Sequence, residues 1–300
     1  VSRKKSIYLQ KQIKCKKMKK TEDELIEDML NTAFSEDIGD GDHTTLCCIP
    51  DTAMGKAKLL VKEDGVLAGV DIALRVFKKF DPELKVEVLM HDGDTIKKGD
   101  IVFYVEGKTQ SLLQTERLVL NLMQRMSGIA TQTRKYVKLL DGLHTRVLDT
   151  RKTTPGLRII EKMAVNIGGG VNHRIGLYDM ILLKDNHVDF AGGIDKAINR
   201  AKQYCKDNNK DLKIEIEVRN MDELEQVMKV GGVDRIMLDN FSTELTRKAV
   251  ERIGGKYETE SSGGITIDTL RSYAECGVDF ISVGALTHSV KGLDLSLKAC

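Results

Sequence analysis

The chain has 300 residues, of which 41% are hydrophobic and 31% are charged, so it is long enough to bury a core in one or two domains. This composition excludes a disordered or fibrous protein. The formal net charge is +2, and the part after residue 20 carries 38 basic and 45 acidic side chains, a balance that gives no electrostatic basis for general nucleic-acid binding.

Residues 1–20 differ from the rest in charge, because they contain nine lysines and arginines and no acidic residue. They lack the continuous apolar run of a signal peptide, and no stretch of the chain approaches the roughly 18 apolar residues of a membrane-spanning helix. We interpret 1–20 as a basic, disordered leader. The six cysteines form no CxxC pair and are typical of reduced thiols. These features together predict a cytoplasmic protein without a membrane partner.

Residues 21–128 mix helical and strand-like segments and are predicted to form an N-terminal α/β domain. A helix is expected to begin at Thr21, where TEDE is a capping-box pattern. A second helix is expected over 72–80, with strands over 56–62, 84–90 and 100–106. From residue 111 to 140 the pattern is helical, and Gly128 is its one expected break. We therefore place the domain boundary at this glycine.

Residues 129–300 alternate between short apolar runs and helical segments, which predicts parallel strands joined by helices. The predicted strands are TRVLD (145–149), MILLK (180–184), KIEIEV (213–218), RIMLD (235–239), YETES (257–261) and FISVG (280–284). No GxGxxG fingerprint follows the first of these strands, which counts against a dinucleotide-binding sheet.

Polar residues or glycine lie at or just after the carboxyl end of each predicted strand, in chain order Arg151 and Lys152, Lys184, Glu217, Asp239, Ser262 and Gly284. In a βα barrel these ends converge on one face, where the catalytic groups lie, whereas an open sheet spreads them along a line. Six strands are fewer than the eight of a complete barrel. We therefore predict an incomplete, TIM-like α/β barrel.

The chemistry of this face indicates an anionic, phosphorylated substrate. Its cations, joined by His173 and Arg174 from the stretch IGGGVNHR, can bind a polyanion. Glu217 and Asp239 on neighbouring strands can hold Mg²⁺ together with substrate phosphates. The glycines of SSGG (261–264) expose backbone N–H groups that suit a phosphate. The residues thus predict an enzyme for a small anion and a Mg²⁺-bound phosphosugar.

These residues lie in motifs that resemble the quinolinate phosphoribosyltransferase family, the decarboxylating nicotinate-nucleotide pyrophosphorylases of NAD synthesis. The resemblance runs in order from about residue 21 to 300. Its motifs are EDIGDGDHTT (36–45), TERLVLNLMQRMSGIAT (115–131), DTRKTTPGLR (149–158), GGGVNHRIGLYD (168–179), LLKDNH (182–187), IEIEV (214–218), MLDN (237–240), ESSGGI (260–265) and VGALTHS (283–289).

The resemblance implies a phosphoribosyl transfer. Quinolinate and phosphoribosyl pyrophosphate would give nicotinate mononucleotide, pyrophosphate and CO₂, with Mg²⁺ as the only cofactor. It also implies an N-terminal α/β sandwich domain over 21–128 and an incomplete α/β barrel over 129–300. The family works as a dimer or an assembly of dimers, and its active sites lie at the subunit interface.

The resemblance further implies a role for each matching residue. Arg117 enters the neighbouring subunit's site, Glu217 and Asp239 face the ribose and its Mg²⁺, and catalysis is assigned to these two acids together with Lys152. The residues expected around the quinolinate carboxylates are Arg117, Arg151, Lys152, His173, Arg174 and Lys184, and those expected beside the 5-phosphate are Ser262, Gly263 and Gly284.

Three alternatives remain open on the sequence. The first is a relative on the same fold that uses nicotinate, and the second is the paralogue associated with molybdate transport genes. The third is a catalytically silent phosphosugar-binding protein, which would not need carboxylates such as Glu217 and Asp239. Glu217 also alternates with apolar residues in its strand and could be an ion-pair partner inside the barrel.

Overall fold

The computed structural model describes residues 20–300, and the predicted leader lies almost entirely outside this range. Within it, the helices are α1 (Glu22–Asp37), α2 (His43–Cys48), α3 (Val70–Phe80), α4 (Thr109–Lys138), α5 (Arg158–Ile167), α6 (Asp185–Ala191), α7 (Ile194–Asp207), α8 (Met221–Val230), α9 (Thr243–Ile253), α10 (Leu270–Ala274) and α11 (Ala285–His288). The strands are β1 (Met54–Val61), β2 (Gly65–Val66), β3 (Lys85–Val88), β4 (Thr95–Ile96), β5 (Ile101–Lys108), β6 (Arg146–Leu148), β7 (Ile181–Leu183), β8 (Ile214–Val218), β9 (Arg235–Asp239), β10 (Glu258–Ser262), β11 (Phe280–Ser282) and β12 (Leu295–Ala299).

The N-terminal region is built on a four-stranded antiparallel sheet in the order β12-β1-β5-β3. Helix α1 begins where the capping box predicts, since Thr21 Oγ1 accepts from the backbone N of Glu24 at 3.2 Å and Glu24 Oε2 accepts from the backbone N of Thr21 at 2.7 Å. Helices α3 and α4 bury one face each in the same hydrophobic core. The predicted α/β character of this region is confirmed.

The C-terminal region is built on a six-stranded, entirely parallel sheet in the order β6-β11-β10-β9-β8-β7. Every predicted strand of residues 129–300 is present, and no strand end differs from the prediction by more than two residues. Helices separate the strands along the chain, so each unit of strand and helix returns the next strand in the same direction. Six strands are too few for a complete barrel, and the predicted incomplete barrel is confirmed.

Helix α4 continues without interruption through Gly128, so the expected break at this residue is wrong. The reason is packing. A Cβ atom placed on Gly128 would lie 2.3 Å from the backbone oxygen of Lys291 and 3.2 Å from Cα of Gly292. The glycine therefore allows the segment before β12 to cross the helix closely, and tertiary contact outweighs the low helix propensity of glycine.

This contact predicts how a methyl group at position 128 changes the free energy of unfolding. The sign of the change distinguishes an effect of packing from an effect of helix propensity. Helix propensity alone would make Gly128→Ala stabilising by about 1 kcal/mol. We expect instead a destabilisation of about 1–3 kcal/mol, because the atom nearest to the new methyl group is the backbone oxygen of Lys291, which cannot move aside cheaply. Chemical denaturation measures the difference, and Asn121→Ala on the exposed side of the same helix is the control. A more stable Gly128→Ala protein would contradict the packing explanation.

The last strand lies in the N-terminal sheet rather than in the barrel sheet. Strand β12 pairs antiparallel with β1, from Ala57 opposite Ala299 to Val61 opposite Leu295. Its alternate residues Leu295 and Leu297 are buried in the core. The chain therefore leaves the N-terminal sheet after β5, builds the parallel sheet, and returns to complete the first sheet.

Candidate active site

A cavity of about 680 Å³ opens at the carboxyl ends of the six parallel strands. Ten of the eleven substrate-binding residues expected from the sequence line it, all of them within the described part of the chain: Arg151, Lys152, His173, Arg174, Lys184, Glu217, Asp239, Ser262, Gly263 and Gly284. A flat sheet could not bring the ends of its first and last strands to one cavity. The predicted convergence of strand ends is therefore present in the fold.

Arg151 and Lys152 follow β6 and are both exposed. The Lys152 side chain lies against Gly284, where a Cβ atom would approach Lys152 Cδ to 3.0 Å and His288 Nε2 to 3.1 Å. Thr287 holds this segment by donating its Oγ1 hydrogen to the backbone oxygen of Lys152 at 2.8 Å. The loop after β6 and the loop after β11 are thus fitted to each other, with a lysine and a histidine beside a glycine backbone.

Lys184 and Glu217 form an ion pair at the ends of β7 and β8. Lys184 Nζ donates to Glu217 Oε2 at 3.0 Å, and the lysine side chain is 48% exposed whereas the glutamate side chain is 7% exposed. The ion-pair alternative for Glu217 is therefore observed, and the same carboxylate lines the cavity. A half-exposed ammonium next to a nearly buried carboxylate leaves the lysine able to contact a second anion.

Asp239 is the last residue of β9, and the residue after it has an unusual backbone conformation. Asn240 has a φ of 55°, a conformation that asparagine tolerates better than most residues, and its Nδ2 donates to Asp239 Oδ2 at 2.7 Å. Gly263 has a φ of 99° and a Cβ atom there would lie 2.2 Å from Asn240 Oδ1. The two strand ends therefore approach so closely that only glycine fits at position 263.

The stretch IGGGVNHR is a tight turn packed on α4. A Cβ atom on Gly168 would lie 2.6 Å from the backbone oxygen of Ala130, and Gly169 has a φ of 95°. The chain then runs beside β6, since Val171 donates its N–H to the backbone oxygen of Val147 at 2.9 Å. The glycines thus serve backbone packing, and the side chains of His173 and Arg174 reach the cavity.

Both ring nitrogens of His173 are bonded within the protein. Nδ1 accepts from the backbone N of Arg174 at 2.7 Å, so the proton of the neutral ring lies on Nε2 and is donated to Glu215 Oε2 at 2.9 Å. Burial lowers the pKa of His173 despite the neighbouring acids, which favours this neutral form. The predicted contact of His173 with a substrate carboxylate stays a prediction, since that contact needs one of these bonds to open.

Two buried carboxyl groups at the cavity were not expected from the sequence: Glu260 lines the cavity, and Glu215 is bonded to His173. Glu215 and Glu260 have no exposed surface, and Arg235 Nη1 donates to Glu260 Oε2 at 3.0 Å. Burial raises the pKa of Glu215 to about 7, and burial together with the charge of Glu215 raises the pKa of Glu260 to about 8. At neutral pH the pair therefore retains bound protons that two solvated carboxylates would have released.

These raised pKa values predict how stability depends on pH. The unfolded chain releases both protons near pH 4.5, so the contribution of these two groups to stability is fully present below that pH and is lost as pH rises toward 7 and 8. We expect Glu215→Gln to flatten the fall in unfolding free energy between pH 5 and 7, by up to about 1.4 kcal/mol per pH unit. Denaturation at several pH values measures this slope, with the surface variant Glu225→Gln as the control. Equal slopes in Glu215→Gln and the parent protein would contradict the raised pKa of Glu215.

Two groups of side chains described by the structure are candidates for holding a metal ion. Glu217 and Asp239 line the cavity and offer carboxylate oxygens beside space for substrate phosphates, which is the donor set that Mg²⁺ prefers. In the second group, one possible ligand atom from each of His173, Glu215 and Glu260 lies within 4.8 Å of the others, but the Nε2 proton of His173 points at Glu215. This second group is therefore occupied by its own hydrogen bond, and the first fits Mg²⁺ better.

Arg117 is the predicted site residue that does not line this cavity. It lies on α4 and is exposed to solvent. Its predicted place in a neighbouring subunit's site stays a prediction. Among the described residues, no helix combines the length and the apolar character needed to cross a membrane.

Known proteins resemble the chain over nearly its whole length. The family model for the quinolinate phosphoribosyl transferase N-terminal domain matches residues 42–127, and the model for the C-terminal domain matches residues 129–298. Quinolinate phosphoribosyltransferase (decarboxylating) 1b of Nicotiana tabacum is 44% identical over 289 residues, covering 91% of this chain and 82% of that protein. The probable nicotinate-nucleotide pyrophosphorylase (carboxylating) of Bacillus subtilis is 41% identical, covering 91% and 92%. The solved nicotinate-nucleotide pyrophosphorylase of Francisella tularensis has a TM-score of 0.86 at 41% identity, covering 94% and 98%.

Proposed function

The chain belongs to the quinolinate phosphoribosyltransferase family, and we propose that it transfers a phosphoribosyl group from phosphoribosyl pyrophosphate to quinolinate. The products are nicotinate mononucleotide, pyrophosphate and CO₂, and the reaction is a step of NAD biosynthesis. The observation that carries this proposal is the single cavity in which four cations, Arg151, Lys152, Arg174 and Lys184, meet two carboxylates and a glycine-rich loop.

The first chemical step is the loss of pyrophosphate from the ribose. Positive charge develops at the anomeric carbon as the bond to pyrophosphate lengthens, and the carboxylates of Glu217 and Asp239 stabilise it. The quinolinate ring nitrogen then forms the new bond to this carbon. Ser262, Gly263 and Gly284 bind the 5-phosphate in this scheme, since all three line the cavity and the backbone N–H groups of a glycine-containing loop suit an anion.

Loss of CO₂ follows from the product of that step. The ring nitrogen has become a pyridinium, so the electron pair of the breaking bond to the 2-carboxylate is drawn toward a positive charge, and a proton then replaces CO₂ on the ring. The cations must bind the retained 3-carboxylate more firmly than the departing 2-carboxylate, or ground-state binding would oppose the reaction. Lys152, exposed at the cavity wall, is the cation that we assign to catalysis.

Mg²⁺ is proposed as the cofactor, held by Glu217 and Asp239 together with oxygens of the substrate. When bound, it neutralises charge on the pyrophosphate and so makes it a better leaving group. Support comes from the carboxylate oxygens that both residues offer to the cavity, where cations that can bind the substrate anions lie nearby.

A dimer or an assembly of dimers is proposed, with Arg117 shared across the interface. Support comes from the exposed position of Arg117 on α4 and from its place in the TER motif of the matching N-terminal region. Cytoplasmic location stays a prediction, because plant relatives carry names such as chloroplastic in Arabidopsis thaliana and mitochondrial in Nicotiana glauca.

One assay tests the function. The purified protein is supplied with phosphoribosyl pyrophosphate, Mg²⁺ and either quinolinate or nicotinate, and CO₂ and nucleotide are measured. We expect turnover with quinolinate and release of one CO₂ for each nucleotide. Turnover of nicotinate alone would favour the nicotinate-using relative, and binding without turnover would favour the silent phosphosugar-binding protein.

A further inference from the structure

Lys162 is a buried cation that the proposed reaction does not use. It lies on α5 with 1% of its side chain exposed and pairs with Asp149, whose side chain is fully buried. Its Nζ also donates to the backbone oxygen of His173 at 3.0 Å. Neither Lys162 nor Asp149 lines the cavity, so this ion pair lies beneath the substrate site rather than in it.

Asp149 and Asn172 extend the pair into a cluster. Asp149 Oδ1 accepts from the backbone N of His173 at 2.9 Å, and Asp149 Oδ2 accepts from Asn172 Nδ2 at 2.5 Å. Asn172 Nδ2 also donates to the backbone oxygen of Lys162 at 2.9 Å. The three side chains, which we call the anchor cluster (Asp149, Lys162 and Asn172), bond to one another and to the backbone of the turn.

The anchor cluster joins two segments that carry cations into the cavity. Asp149 is two residues before Arg151, at the start of the loop after β6, and Asn172 is two residues before Arg174. The backbone N of Asp149 donates to the backbone oxygen of Val171 at 3.1 Å. A shift of the cluster would therefore move the Arg151–Lys152 segment relative to the His173–Arg174 segment.

Stability alone does not explain why such a pair is buried. Burial raises the pKa of Asp149 and lowers the pKa of Lys162 even though each faces the opposite charge. Desolvation therefore outweighs their attraction, and an apolar pair of the same volume would be at least as stable by this measure. What an apolar pair could not supply is the set of directed bonds to the backbone of His173.

We propose that the anchor cluster is a positioning device that fixes the distance between the two cation-bearing segments, and that it thereby sets the affinity for the pyridine dicarboxylate. This inference rests on the proposed function. Two carboxylates on adjacent ring carbons have a fixed separation, and misplacement of a binding group by about 1 Å can cost about 10²-fold in rate. The phosphosugar is assigned to the ends of β8 to β11, and none of the cluster's hydrogen bonds reaches these strand ends.

The test compares the double variant Asp149→Asn/Lys162→Met with the parent protein. The double change removes both charges together, so no unpaired charge remains buried. Arg158 continues to bridge the same segments, because its Nε donates to Thr153 Oγ1 at 2.9 Å and its Nη1 to the backbone oxygen of Ile175 at 3.2 Å. The fold is therefore expected to survive. Asn172→Ala, which leaves the ion pair in place, is the milder second variant.

The expected result is a higher KM for quinolinate with little change in the KM for phosphoribosyl pyrophosphate. The KM for quinolinate rises at least about 10-fold in the double variant, while the KM for phosphoribosyl pyrophosphate stays within about twofold. Hydrogen exchange of the amides of residues 171–174 becomes faster. Ser127→Ala is the matched control, because Ser127 is equally buried and its Oγ donates to the backbone oxygen of Ala68 at 3.0 Å, away from the turn. It should change neither the KM ratio nor that exchange.

Two outcomes would overturn the positioning role. One is an unchanged KM ratio with unchanged amide exchange in a folded double variant, and the other is an equal rise of both KM values, which marks a general loss of structure. Failure of the parent protein to turn over quinolinate would instead sink the proposed function. In that case amide exchange at 171–174 and calorimetric binding of pyridine-2,3-dicarboxylate to parent and variant still decide the inference.

Discussion

Replacing Glu217 with glutamine is expected to lower kcat by about 10²–10³-fold, because the variant loses a charge directed at the cation that develops on the ribose. Glutamine keeps the shape of the side chain and an oxygen that can accept from Lys184 Nζ, which lies 3.0 Å from the present carboxylate. The affinity for quinolinate should therefore change much less than kcat. Pyrophosphate release under saturating substrates measures the effect.

Two control variants accompany Glu217→Gln. One keeps a negative charge at position 217, and the other removes a negative charge outside the cavity. Glu217→Asp retains a carboxylate and should recover part of the activity, and Glu223→Gln removes a carboxylate that pairs with Arg219 outside the cavity. Asp239→Asn should lower kcat in the same direction as Glu217→Gln. A Glu217→Gln protein with kcat close to that of the parent would exclude a charge-stabilising role for this residue.

Arg117→Ala and Arg151→Ala are each expected to abolish most activity alone and to complement each other when mixed. If Arg117 enters the site of the neighbouring subunit, a hybrid dimer contains one site with both arginines and one site with neither. Random exchange of subunits in equal amounts then restores about a quarter of the parent activity, because about half the dimers are hybrids with one intact site.

Subunit exchange must be demonstrated in the same experiment, for example with two affinity tags on the two variants. The control mixes Arg151→Ala with Lys184→Ala, because the same subunit contributes both of these residues to a site. That mixture should not recover activity, because each hybrid site still lacks one of its two cations. Activity that stays at the level of the single variants in fully exchanged Arg117→Ala and Arg151→Ala mixtures would contradict a shared site.

The parallel sheet and most of the cavity were predictable from the sequence because they follow from periodicity. Most strands are short, largely apolar runs that end at a polar residue or glycine, as at Asp239 and Gly284, and YETES (257–261) is the polar exception. In a barrel such ends must meet on one face. Ten residues picked by this argument and by the family motifs line one cavity, although their chemical roles stay predictions.

The buried polar residues beneath the cavity were missed for a physical reason. Strand β8 is buried at all five positions, so the usual difference between an inner and an outer face disappears. A period of two still gives a signal, because Glu215 precedes Glu217 by two residues and Glu260 precedes Ser262 by two, which places each on the same side of its strand. Lys162 has no such signal in the sequence, because only folding brings it next to its partner Asp149.

The return of β12 to the N-terminal sheet has a consequence for how the protein folds. The partners in β1 and β12 are about 240 residues apart along the chain, and contacts of such high sequence separation form late because the loop must first be closed. During synthesis β1 therefore presents a free edge until the last strand has left the ribosome, and free edges are sites of aggregation. We expect a fragment that stops before β12 to be aggregation-prone, so the first sheet is not an independently folding unit despite being the first to be made.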